Sequence, residues 1–237
     1  MRSQNPRKTP LRRKTVLIVG EGVKTEYNYF SEIRLLPEVR SRFEIDVKRG
    51  GNSAPSIVNT AIELANKRDI PYTKVWCVLD VESQLNHPKI EEARAILRKN
   101  ATAKKNNMEL CLSNPCFEIW LLAHFDNTSK PFNGCQPIKS LMDKHWEPVF
   151  KHKYEENTEG IFTRLRESLP AAIEHAKALL HGLSNHQMVG HPLVTCQPSS
   201  HSDTHKGSPL PNTTYSPTEC GYNISAVPQA TSFAVDY

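Results

Sequence analysis

Two apolar runs and one short, mainly apolar stretch mark the first half of the chain, and each stops abruptly on polar or acidic residues. Val16 to Gly20 (V-L-I-V-G) runs into Glu21, Val75 to Leu79 (V-W-C-V-L) into Asp80 and Glu82, and Met108 to Leu112 into Ser113 and Asn114. Short runs of this kind, β-branched or aromatic in part and closed by glycine or charge, read as buried strands. Phe43 to Arg49 (F-E-I-D-V-K-R) alternates apolar and polar residues, the pattern of a strand with one wet face. Between the strands, apolar positions and breakers predict helices over about 25–36, stopped by Pro37, over 55–68, entered through Ser53 and Pro55, and over 88–106, opened by Pro88. Beyond 112, Asn114 suits an N-cap and Pro115 a first helical position. The helix they would open is apolar nearly all round, with Phe117, Trp120, Leu121 and His124 along one side. Residues 132–137 read as a loop, and 138–145 and 161–181 as helices, the second interrupted by Pro170.

Strands alternating with helices through short connections call for an α/β fold: a mainly parallel four-stranded sheet with helices on both faces, followed by C-terminal helices. The expected organisation is a flexible basic arm over 1–14, one domain over 15–182, and a tail from 183. The tail holds only four charged residues, Asp203, Lys206, Glu219 and Asp236, against six prolines. Without periodicity or charge it cannot bury enough apolar surface to offset its ordering entropy. It is expected to be poorly ordered, and the abrupt change of composition suggests a non-native C-terminus.

The formal charge of +5 is a weak pointer to an anionic partner, but its placement is sharper. Arg2, Arg7, Lys8, Arg12, Arg13 and Lys14 crowd the first fourteen residues with no acid among them. Such an arm suits a polyanion, RNA or DNA, with Arg12, Arg13 and Lys14 the nearest contacts to the domain; a merely solubilising arm would read the same way. No apolar stretch approaches the length of a membrane span, so a cytoplasmic protein without a membrane partner is expected. None of the six cysteines has C-x-x-C spacing, and Cys77 and Cys111 fall in predicted buried strands, so reduced thiols are expected rather than a disulfide framework or a zinc site.

The candidate chemistry lies where the apolar runs end. In open α/β sheets, ligands bind at the carboxyl ends of the strands, so two such strands side by side would gather Glu21, Asp80 and Glu82 into one volume. Crowded carboxylates repel unless neutralised, and an all-oxygen donor set suits Mg²⁺, with Mn²⁺ as a substitute. Glu26 could serve a second metal, act as an outer-shell group, or simply be a first-turn acid favoured by the helix dipole. Lys24 could meet a phosphate or simply face solvent. Glu118 stands in an apolar helix where a free carboxylate is costly, so it should bond to backbone amides or to Asn114, with a secondary catalytic role as the alternative. Gly50 to Ser53 (G-G-N-S) could wrap a phosphate or form a plain turn, and it lacks the lysine of a P-loop.

The order V-L-I-V-G-E-G-x-K-T-E, then V-W-C-V-L-D-V-E, then L-S-N-P-C-F-E-I-W-L-L-A-H-F resembles the RloB-like family of Toprim-domain proteins, over about residues 14–182. The resemblance implies a Toprim-like fold, a magnesium-dependent nuclease and a role in bacterial antiphage defence, often beside an ATPase partner. It matches Glu21 to the glutamate after the first strand, Asp80 and Glu82 to the acidic pair after the third, and Glu26 to the second glutamate of E-G-x-x-T-E. Here the pair is D-x-E where D-x-D is more usual, and the tail does not look like the family's ending.

Three functional readings are open on these residues. The first is a metal-dependent nuclease acting on RNA, transfer RNA included, or DNA. The second is a non-catalytic nucleic-acid-binding or regulatory subunit of a defence system, bound through the arm. The third is a primase-like nucleotidyl transferase on the same sheet.

Overall fold

The computed structural model describes residues 12–21, 25–82, 86–128, 132–184 and 195–196. Strands β1 (Lys14–Gly20), β2 (Phe43–Arg49), β3 (Lys74–Asp80), β4 (Met108–Ser113) and the two-residue β5 (Thr195–Cys196) form one sheet in the order β2-β1-β3-β4-β5. The first four are mutually parallel, as their apolar runs and helical crossovers require; β5 pairs antiparallel with β4 through Leu112 and Cys111. The helices are α1 (Thr25–Ile33), α2 (Pro37–Arg42), α3 (Ala54–Asn66), α4 (His87–Lys99), α5 (Ala101–Lys105), α6 (Glu118–Ala123), α7 (Cys135–Phe150), α8 (Ile161–Leu165) and α9 (Leu169–Ser184).

Because successive strand residues face opposite ways, each buried strand feeds two cores. Val16, Ile18, Trp76 and Val78 join the larger one, with Tyr29, Phe30, Phe117, Trp120, Trp146 and Phe162. Leu17, Val19, Val75, Cys77 and Leu79 pack on the other face against Ile57, Val58, Ala61 and Ile90. Helices therefore cover both faces of the sheet. Cys77, Cys111 and Cys116 are buried free thiols. Among the described residues no helix is long and apolar enough to cross a membrane.

Several expected boundaries move. Pro37 does not merely stop a helix: α1 ends at Ile33, and Pro37 opens α2 after Leu36, where a missing N–H costs nothing. The helix expected over 88–106 breaks at Asn100, whose extended backbone and Oδ1, accepting from Ala103 N at 3.0 Å, start α5. The loop expected over 132–137 is shorter, because α7 begins at Cys135 after Gly134, held at φ 92°. Asn114 is not an N-cap. Ser113 still pairs with Asp80 in the sheet, the Asn114–Pro115 peptide is cis, and the Pro115 carbonyl accepts from Glu82 N at 2.8 Å, so α6 starts only after Phe117. The expectation of a poorly ordered or non-native tail over 183–237 falls outside the described residues, apart from the end of α9 and β5.

The G-G-N-S segment is a packed turn. A Cβ on Gly50 would stand 2.6 Å from Val19 Cγ1 and 2.9 Å from Ile57 Cα, so only glycine lets β2 pass this close to α3. Its N–H donates to Gly20 O at 3.0 Å, and its carbonyl accepts from Thr60 Oγ1 at 2.8 Å.

Candidate active site: an acidic cleft at the strand ends

In the order β2-β1-β3-β4, the chain leaves β1 toward one edge for β2 and reaches β3 on the other side, so the topological switch point lies between β1 and β3. Glu21 and Asp80 stand at that point. Glu21 N donates to Val78 O at 3.3 Å, continuing the β1–β3 ladder by one rung, and Asp80 closes β3 beside Ser113 of β4. Glu82 comes two residues later in a left-handed conformation, φ 51°, which costs a non-glycine residue roughly 1–3 kcal/mol. The turn is held by Val81 N donating to Ser113 O and Glu82 N to Pro115 O, both at 2.8 Å.

A cleft of about 440 Å³ opens over these strand ends, and its wall carries six carboxylates: Glu21, Glu26, Asp80, Glu82, Glu118 and Glu156. Lys139 is the one cation among the described side chains lining it, and it is ion-paired with Glu156. The sheet supplies Glu21, Asp80 and Glu82, the first turn of α1 supplies Glu26, and the start of α6 supplies Glu118. The segment between α7 and α8 brings Glu156. Thr25 Oγ1 secures that segment by donating to Glu156 O at 3.0 Å, while the Tyr154 hydroxyl donates to Glu118 Oε1 at 3.2 Å and lies 3.3 Å from Thr25 Oγ1.

The electrostatics are set by this crowding. Burial, then the charges of Glu118, Glu21 and Glu156, push Glu26 up to about 7 against the pull of a backbone hydrogen bond. Burial, then Glu26 and Glu118, hold Asp80 well above the usual carboxylate range. Burial and Glu82 raise Glu21, while the Asp80 backbone N–H and Lys89 oppose them. Three acids displaced upward together mark a site short of positive charge.

Two buried oxygens bear on what could supply that charge. Asp80 Oδ1 and Ser113 Oγ, on register-paired residues of parallel strands and so on the same face, have no hydrogen-bond partner among the described residues. A desolvated carboxylate oxygen without a partner is costly, and a hard divalent cation with its water shell is what such donors suit. As they stand, no three His, Cys, Asp or Glu side chains among the described residues already converge on one ion position. Carboxylate oxygens of this kind are chemically suited to a hard cation such as Mg²⁺ or Mn²⁺.

The cleft unites Glu21, Glu26, Asp80, Glu82 and Glu118 and leaves others out. Asn114 is not among its lining side chains, and Glu118 bonds to Tyr154 rather than to Asn114. Lys24 lies outside the described residues. Arg12, Arg13 and Lys14 are exposed at the start of β1, a whole strand, roughly 20 Å, from its acidic end. Arg13 pairs there with Glu44 at 3.8 Å and donates to Arg40 O at 3.3 Å. His124 is buried between Tyr29 Oη (3.2 Å) and Leu165 O (3.1 Å), and burial lowers it to about 3, so it is a neutral core residue. Thr25, Lys139, Tyr154 and Glu156 escaped sequence reasoning. Only the T-E pair at the start of α1 hinted at the first of them.

Fold and site together define an α/β protein with an acidic cleft at the switch point of a parallel sheet. The chain belongs to the RloB-like family: it matches the family described as RloB-like protein over residues 16–204. The match continues to 204 rather than ending at 182, so the family pattern includes the first part of the segment where composition changes. No curated protein and no solved structure matches the chain.

Proposed function

We propose that this protein is a divalent-metal-dependent nuclease that hydrolyses phosphodiester bonds of RNA or DNA at the cleft formed by Glu21, Asp80 and Glu82. The observation that carries the reading is the gathering of six carboxylates around one cation-poor cleft in which Asp80 Oδ1 is buried without a partner among the described residues. Glu21, Asp80 and Glu82 would hold Mg²⁺ or Mn²⁺, which when bound polarises a phosphoryl oxygen and steadies the leaving oxygen. Glu26, with an affinity for protons near neutrality, suits a base that accepts a proton from the attacking water. Lys139 is positioned to meet a non-bridging phosphate oxygen once substrate competes for it with Glu156. Glu118, fixed by Tyr154, shapes the wall behind Asp80. The family resemblance supplies the Toprim comparison and the setting, antiphage defence beside an ATPase partner.

The basic arm serves this reading as an auxiliary polyanion contact. Its attachment at the far end of β1 suits substrate lying along the domain rather than entering the cleft through the arm.

The test is incubation of purified protein with labelled RNA and DNA in Mg²⁺, in Mn²⁺ and in chelator, beside Glu21→Ala and a variant lacking residues 1–11. Metal-dependent cleavage lost in Glu21→Ala and merely weakened at higher salt in the truncation supports the nuclease. Identical products from wild type and Glu21→Ala would contradict it. Incorporation of triphosphates without net strand cleavage would point to the nucleotidyl transferase.

A further inference from the structure

The carboxylate chemistry leaves two groups in the cleft unused. Cys116, in the turn before α6, and Cys135, the first residue of α7, both line it, and each thiol is the largest influence on the ionisation of the other. Both are free thiols. Cys116 is 2 % exposed, whereas Cys135 is half-buried and opens onto the cleft. A hard cation prefers the surrounding oxygens, so the thiols are not needed to hold it. Cys77 and Cys111 project from adjacent strands to opposite faces of the sheet, and the residue in register with Cys111 is Cys196 of β5.

We propose that Cys116 and Cys135 are an oxidation site that forms a reversible disulfide across the wall of the acidic cleft when a hydroperoxide enters it. The Cys135 thiolate, favoured first by the neighbouring Cys116 thiol and more weakly by Lys139, attacks one peroxide oxygen. An S–O bond forms, the O–O bond breaks, and hydroxide (or alkoxide) leaves, giving a sulfenic acid. The Cys116 thiol then attacks that sulfur; the S–S bond forms and the S–O bond breaks, and the departing hydroxide takes up the Cys116 proton as water. With hydrogen peroxide the balance is two thiols and one peroxide to one disulfide and two waters, the two sulfurs losing the two electrons the peroxide gains. A dithiol reductant reverses it by exchange. The bond would tie the entry of α6 to the start of α7 beside Asp80 and Glu118. On the nuclease reading, on which only this consequence rests, it would restrict the cleft and slow cleavage.

The experiment treats the full-length protein with hydrogen peroxide, alkylates the remaining thiols and maps the cysteines by mass spectrometry after chymotryptic digestion, which cuts between Cys116 and Cys135. The expected result is a peptide pair joined through Cys116 and Cys135, absent in Cys135→Ser and removed by dithiothreitol. Metal-dependent cleavage should fall severalfold on oxidation and recover on reduction in wild type, while Cys135→Ser should show no such response. Retention of both thiols in the folded, peroxide-treated protein would overturn the inference. So would a disulfide confined to Cys111 and Cys196. If the Cys116–Cys135 bond forms but neither redox state cleaves nucleic acid, the oxidation site stands and the nuclease reading falls.

Discussion

The Tyr154 hydroxyl donates to Glu118 Oε1 at 3.2 Å, joining the segment after α7 to the first turn of α6 across the back of the acidic cleft. Both residues are buried, so deleting the hydroxyl leaves a desolvated carboxylate oxygen without its donor. Tyr154→Phe should lower stability by about 1–3 kcal/mol in urea denaturation. An unchanged midpoint would show that the bond does not support the fold.

Glu26 gives the cleft a signature in pH. Its carboxyl is protonated in folded and unfolded chains alike below about 4.5. Between there and about 7 the unfolded chain ionises while the fold retains the proton, and above 7 the fold must carry the buried charge. Its contribution to stability therefore falls as pH rises through that window, by about 3 kcal/mol in all. His124 acts in the opposite sense: held neutral down to about 3, it costs stability as pH falls below 6.5. Wild type and Glu26→Gln must therefore be compared across pH to isolate Glu26. Without metal, Glu26→Gln should gain on wild type from pH 5 to pH 8 in thermal melts, and Mg²⁺ should narrow the gap at pH 8. A constant difference would mean that Glu26 carries no such penalty.

Gly50→Ala tests the fold away from the carboxylates. The new Cβ must displace Val19 Cγ1 and the backbone at Ile57, neither a flexible side-chain end. A loss of about 1–3 kcal/mol is expected in chemical denaturation, with divalent-metal binding retained in the folded fraction. A neutral substitution would show that β2 and α3 separate easily.

Much of the scaffold is legible in the chain because β1 and β3 are buried on both faces and so appear as unbroken apolar runs, with β4 interrupted only by Glu109. The same runs locate Glu21, Asp80 and Glu82, since a charge ending such a run must lie at the sheet's edge. The stretch after β4 is harder to read. Asn114 and Pro115 have the residue types of a helix start, but Ser113 remains in the ladder and the Pro115 carbonyl is taken by Glu82, a contact between segments 33 residues apart in sequence that no local pattern encodes. Pro137 resembles a loop residue, yet within the first turn of α7 its missing N–H is no loss. Lys139 reaches the cleft from within α7, and Glu156 lines it, with Tyr154 behind Glu118, because the chain after α7 folds back onto Thr25 and Glu118. Side chains joined by long-range packing leave no periodic trace.

Divalent-cation binding in the cleft through Asp80 and its neighbours underlies the proposed chemistry. It is tested most directly by Mn²⁺ titration followed by electron paramagnetic resonance, on wild type and Asp80→Asn, in a protein that needs no substrate, partner or trigger for the measurement. Asp80→Asn removes a carboxylate from a repulsive cluster, so the variant should remain folded and melt no lower than wild type without metal. Wild type should bind Mn²⁺ saturably, with displacement by Mg²⁺, and the folded variant should lose that binding or show it severely weakened. Equal Mn²⁺ binding by both proteins, or none by wild type, would contradict it.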